Sequence, residues 1–97
     1  MSGDSAGAFL SRSVVIPNRR GLHARAAAKF VTLAERFSAA VSVVKDGQEV
    51  PGQSIMGLMM LGAAQGSSVE LRAEGWDAKE ALDALAELIG RGFDETD

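Results

Sequence analysis

The stretch Val41-Ser42-Val43-Val44-Lys45-Asp46-Gly47-Gln48-Glu49-Val50 decides the fold. Val41 to Val44 is rich in β-branched residues, which suit a pleated, half-buried surface. Asp46-Gly47 then separates this run from a second extended run. An Asp-Gly pair in that setting marks a hairpin, because the two-residue turn needs positive φ. The chain is expected to turn back into a short strand near Gln48 to Val50, ended by Pro51-Gly52. Two strands joined this tightly are antiparallel.

Upstream, Phe9 to Ile16 ends in a β-branched run and stops at Pro17-Asn18, which reads as a first strand. Asn18 to Leu22 is a loop. Ala26, Phe30, Leu33, Ala34 and Phe37 then fall on one stripe of a helix from Ala24 to Phe37. Downstream, Ser54 opens a short apolar helix, Ile55 to Leu61, closed by Gly62. Leu58 and Leu61 are expected in the core; at least two of Ile55, Met56, Met59 and Met60 are expected to be exposed. Val69, Leu71 and Ala73 alternate with Glu70 and Arg72 as a half-buried strand. Asp77 with Glu80 forms a capping-box-like start to the last helix. Its apolar face is Ala78, Ala81, Leu82, Leu85, Leu88 and Ile89. The order is β-α-β-β-α-β-α, an α+β two-layer arrangement with an antiparallel sheet and helices on one face.

The chain has 97 residues, 46% hydrophobic and 24% charged, enough for one domain and one modest core. That domain is placed at residues 9–93. A small, polar N-terminal tail (1–8) and an acidic tail (94–97) flank it, both expected to be mobile. Without cysteine there is no disulfide, thiol nucleophile or thiolate metal site, which fits a cytoplasmic protein. A net charge of −3 and 5% aromatic residues leave neither a basic stripe nor stacking platforms for nucleic acid. No apolar run is long enough to insert into a membrane. No metal-ligand spacing occurs, no cofactor is implied, and the glutamates form no paired acid–base site. Trp76 reads as a packing or surface residue rather than a ligand platform.

His23 is the only histidine. It stands where the loop becomes the first helix. The positive end of the helix dipole disfavours a cationic ring there, so a neutral, nucleophilic imidazole is more available. An anion attached to the ring would lie over unpaired backbone N–H groups of Ala24, Arg25 and their successors. Gly21 lets the backbone bend close by, and Arg25 can add a charge-assisted hydrogen bond to phosphate oxygens.

The string Gly21-Leu22-His23-Ala24-Arg25-Ala26-Ala27-Ala28-Lys29-Phe30 resembles the active-site signature of HPr, the histidine-containing phosphocarrier of bacterial phosphotransferase systems. A second string, Gln53-Ser54-Ile55-Met56-Gly57-Leu58-Met59-Met60-Leu61-Gly62, resembles that family's regulatory-serine helix at the family's usual interval. The likeness runs from about Ser11 to about Gly92. It implies a four-stranded antiparallel sheet of order 1-4-2-3 under three helices. It also implies that His23 is phosphorylated on Nδ1 by Enzyme I, with phosphoenolpyruvate as ultimate donor, and donates to a IIA protein or domain. Arg25 would steady the phosphoryl group. Ser54 would be modified by an HPr kinase/phosphorylase where the organism has one.

On this resemblance the protein is a monomeric carrier without turnover of its own. Leu22, Ala24, Ile55, Met56, Met59 and Met60 would form its docking surface. Ala26 replaces the proline common after the arginine, and Arg19-Arg20 makes the loop more basic. The ending Gly90-Arg91-Gly92-Phe93-Asp94-Glu95 resembles the nitrogen-related branch, whose members serve regulation. A regulatory binding module controlled by Ser54 phosphorylation is therefore the alternative to a carrier in sugar uptake.

Overall fold

The computed structural model describes residues 9–95. Its elements are β1 (Leu10–Val15), α1 (Ala24–Ala34), β2 (Ala40–Lys45), β3 (Gln48–Pro51), α2 (Ile55–Met60), β4 (Ser68–Glu74), α3 (Ala78–Gly90) and a short 3-10 turn, Gly92–Asp94. The expected order is present. Residues 1–8, expected as a tail, lie outside the described residues, as do Thr96 and Asp97.

The Asp-Gly turn behaves as its composition requires. Asp46 and Gly47 have φ of 52° and 80°, and Val43 pairs with Val50 across the hairpin. β4 inserts between β1 and β2, giving the antiparallel order β1-β4-β2-β3. Register follows the alternation of β4. Val69, Leu71 and Ala73 are buried, while Glu70 and Arg72 point away and join Glu49 in a charged cluster. The core lies between the sheet and the three helices. α1 buries Ala26, Ala27, Phe30, Val31 and Ala34; α3 buries Ala78, Ala81, Leu82, Leu85, Leu88 and Ile89. Arg12 of β1 pairs with Asp83 of α3.

Two expectations need correction. First, α1 ends at Ala34 rather than Phe37; single turns close from Arg36 to Leu33 and from Phe37 to Ala34. Second, Asp77 stands at the N-cap of α3 but makes no side-chain cap bond. Its carboxylate is buried and accepts from the backbone N–H of Ser38 (2.9 Å) and Ala39 (2.8 Å). The segment entering β2 carries donors that have no ladder partner, and a buried N–H without a partner is costly. Satisfying two of them outweighs one helix cap. Trp76, beside it, is exposed.

The two readings of Asp77 predict different mutants. Asp77→Ala should lower stability by about 2 kcal/mol, because the buried Ala39 N–H and the part-buried Ser38 N–H lose their acceptor. Glu80→Ala should change it by less than about 0.5 kcal/mol, as at an ordinary surface site. Urea unfolding of both variants checks this; equal losses would restore the capping box.

Candidate functional site

The loop from β1 to α1 is held from below. Ile16 N–H donates to Ser67 O (2.8 Å) and Gly66 N–H donates to Ile16 O (2.7 Å), tying the end of β1 to the turn before β4. Leu22 N–H donates to Ala63 O at 2.9 Å, just beyond α2. Gly21 has φ +67°, and a Cβ there would stand 2.5 Å from the same carbonyl oxygen. Only glycine permits both the backbone conformation and the approach. Asn18 is buried and bridges the loop internally, its Nδ2 donating to Gly21 O at 2.8 Å.

These anchors leave His23 as the N-cap of α1, with extended backbone (φ −79°, ψ −179°). Its Nδ1 accepts from Arg25 N–H at 3.2 Å. Its Nε2 faces Oε2 of Glu95, and Oε1 of the same carboxylate accepts from Asn18 Nδ2 at 3.0 Å. The partners determine the tautomer. A backbone N–H can only donate and a carboxylate can only accept. The neutral ring therefore carries its proton on Nε2 and its lone pair on Nδ1. That lone pair points at the open end of the helix, and the Nε2 side is covered: the two side chains are 16% and 11% exposed.

Burial alone would raise the Glu95 carboxyl. The hydrogen bonds from His23 and Asn18, with the nearby charge of Arg20, outweigh it and hold the carboxyl below its usual value. Asp94 and Glu95 are thus part of the folded unit, where an acidic tail is expected. Phe93 is the cause. Its side chain is fully buried, and the chain reverses through Gly92, Phe93 and Asp94, all at positive φ. Lys29 of α1 donates to Phe93 O at 2.7 Å and secures the reversal. Nothing local marks Glu95 as a partner of a residue 72 positions away. The only sequence signal is a phenylalanine after a glycine at the chain's end, which implies a return to the core.

The other expected site residues divide clearly. Ala24 and Arg25 are exposed in the first turn of α1, and among the described residues the Arg25 guanidinium makes no ion pair or hydrogen bond. Leu22 does not belong to a docking surface: at 7% exposure it is a core residue that pins the loop. Ser54 caps α2, its Oγ accepting from Gly57 N–H at 2.9 Å. All four of Ile55, Met56, Met59 and Met60 are exposed, Met56 at 72% and Met60 at 69%, while Leu58 and Leu61 are buried. Among the described residues no cluster of three His, Asp or Glu side chains could hold a metal ion. None of the described helices is long and apolar enough to cross a membrane.

A family model described as the PTS HPr component phosphorylation site matches residues 10–91. The chain belongs to the HPr family. A phosphocarrier protein HPr of Neisseria meningitidis serogroup A is 49% identical over 87 residues, covering 90% of this chain and 98% of its own length. A phosphocarrier protein NPr of Shewanella violacea is 42% identical over 86 residues, covering 89% and 94%. Among solved structures, an HPr of Thermoanaerobacter tengcongensis superposes with a TM-score of 0.85 at 47% identity, covering 90% of this chain and 98% of that one. The HPr fold is thus present, and the HPr phosphocarrier family accounts for a histidine on an open helix end. Glu95 lies beyond the stretch that the HPr model matches.

The Gly21 contact can be separated from simple helix-end strain. Gly62 also has positive φ (+65°), but a Cβ there meets nothing within 4 Å. Gly62→Ala should cost about 1–2 kcal/mol of left-handed strain. Gly21→Ala should cost clearly more, because Ala63 O must also move. Thermal unfolding of the pair measures the difference; equal melting temperatures would remove the close approach from the account.

Proposed function

We propose that this protein accepts a phosphoryl group from phospho-Enzyme I on Nδ1 of His23 and donates it to a IIA protein or domain. The observation that carries this reading is the Nδ1 lone pair, which accepts from the Arg25 amide at the start of α1. In the acceptor step that pair attacks phosphorus, and the bond from phosphorus to the donor breaks with its electrons returning to the donor. Arg25 N–H, released from the ring nitrogen, can then donate to a phosphoryl oxygen. The Arg25 guanidinium can swing in as a second, charge-assisted donor. Transfer of this kind runs through a loose, in-line transition state, where positioning and charge stabilisation dominate.

A solvent-open helix end suits a group that must leave again. Many fixed contacts would trap the phosphoryl group; none would leave it to water. The rest of the apparatus comes from the partner, so the protein is consumed and regenerated rather than turning over as an enzyme. It acts in the cytoplasm as a monomer on this reading.

Ala24 and the exposed apolar side chains of α2 form the docking surface. Methionine adapts its shape, which suits one surface meeting several partners. The Leu22–Ala63 bond supports this, since it ties the His23 loop to the chain just after α2. Ser54 is the point of control. Phosphate at a helix N-terminus does not disturb the helix, but it places about −1.5 to −2 charge beside that surface. The Ser54-capped helix also favours the regulatory reading, and one protein can serve both roles.

Incubation with Enzyme I and phosphoenolpyruvate should add the mass of one phosphoryl group in an acid-labile form. His23→Ala, still folded by circular dichroism, should take none; retained label would move the site elsewhere. Ser54→Asp keeps a cap oxygen and adds charge. Its rate of labelling by Enzyme I should fall several-fold with little change in melting temperature. Unchanged labelling would separate Ser54 from docking.

A further inference from the structure

We infer that Glu95 is a positioning residue for phosphoryl transfer: with Asn18 it forms a relay that fixes the His23 tautomer and balances the ring charge created by phosphorylation. The inference rests on the carrier reading for its second half only. The relay joins the β1–α1 loop to a distant part of the chain. Asn18 leaves β1, His23 begins α1, and Glu95 arrives from the end of α3.

The chemistry follows from the charge balance. Before transfer the ring is neutral, with a proton on Nε2. When Nδ1 forms its bond to phosphorus, no proton leaves, so the ring itself becomes positive. The only change at Nε2 is that a neutral N–H donor becomes a cationic one. Glu95 Oε2 is already in contact with that hydrogen. A carboxylate attracts a cationic donor more strongly than a neutral one, because a full charge then faces a full charge. Glu95 therefore favours the phosphorylated ring over the free one. When the phosphoryl group leaves, the electron pair returns to Nδ1 and the ring is neutral again. The phosphoryl oxygens lie on the far side of the imidazole, so Glu95 opposes them less than it supports Nε2–H.

The carboxylate is well suited to this part. Asn18 Nδ2 occupies Oε1 at 3.0 Å, which leaves Oε2 directed at the ring. Asn18 is itself pinned by its 2.8 Å bond to Gly21 O. The reversal holding Glu95 in place is anchored by buried Phe93 and by Lys29, not by Glu95 alone. Removing the charge should therefore leave the fold standing. Arg20 adds a further positive charge near the carboxylate.

Glu95→Gln and Glu95→Ala test this in the full chain. Long-range 1H–15N spectra of the unphosphorylated protein report the tautomer of the neutral ring. The wild type should show Nε2–H alone. Both variants should show a mixture, with unchanged amide spectra in the core. In the second measurement, the equilibrium of labelling with Enzyme I should shift roughly tenfold toward unphosphorylated protein in Glu95→Gln, because the cationic ring loses its negatively charged acceptor. An unaltered tautomer and equilibrium in both variants would overturn the inference. A wild type that takes no label would instead overturn the carrier reading, and the tautomer spectra would still decide the relay.

Discussion

Everything in this molecule turns on how the first helix begins. A helix leaves its first backbone N–H groups without intrahelical partners, and most helices close that end with a serine, threonine, aspartate or asparagine. Here the cap is an imidazole. Its Nδ1 takes the amide of Arg25 loosely, at 3.2 Å. On the carrier reading, the start of α1 is satisfied well enough to be stable and poorly enough to receive an anion. Serine at that position would make a better cap and could not carry a phosphoryl group by the same route.

The rest of the fold serves to keep that cap where it is. The loop before it cannot drift, because Gly21, Leu22 and Asn18 pin it to the chain after α2 and to itself. Below the loop, β1 is paired along its length with β4, and α1 is seated on the core through Phe30 and its alanines. The backbone fixes His23 Nδ1 at the start of α1, and Arg25 beside it is exposed. Exposed apolar side chains on α2 are a liability for solubility, which a net charge of −3 offsets.

What the sequence discloses and what it hides divide by range. The hairpin was legible because Asp46-Gly47 dictates its own backbone. The helices were legible from stripes such as Ala26, Phe30 and Ala34, and β4 from its strict alternation. His23 and Ser54 are legible as helix caps, and Arg25 as a first-turn residue, because helix starts are local events. Leu22 was misplaced: its neighbours say loop, and only the Ala63 contact shows that it is buried. Asp77 was assigned to its own helix, whereas its partners are Ser38 and Ala39. Glu95 reads, with its acidic neighbours, as a tail, whereas it reaches His23 and Asn18. Both errors concern a carboxylate whose partner lies far away in the chain, and no pattern of period two or 3.6 encodes such a pairing.

On the carrier reading, Nδ1 is the ring nitrogen that takes phosphorus. The direct measurement is the 15N spectrum of the phosphorylated, histidine-labelled protein, recorded with the amide spectrum of the start of α1. Phosphorus attached to Nδ1, with the Arg25 amide moving as it turns from nitrogen to phosphoryl oxygen, is the predicted result. Attachment at Nε2, or an Arg25 amide indifferent to phosphorylation, would contradict it.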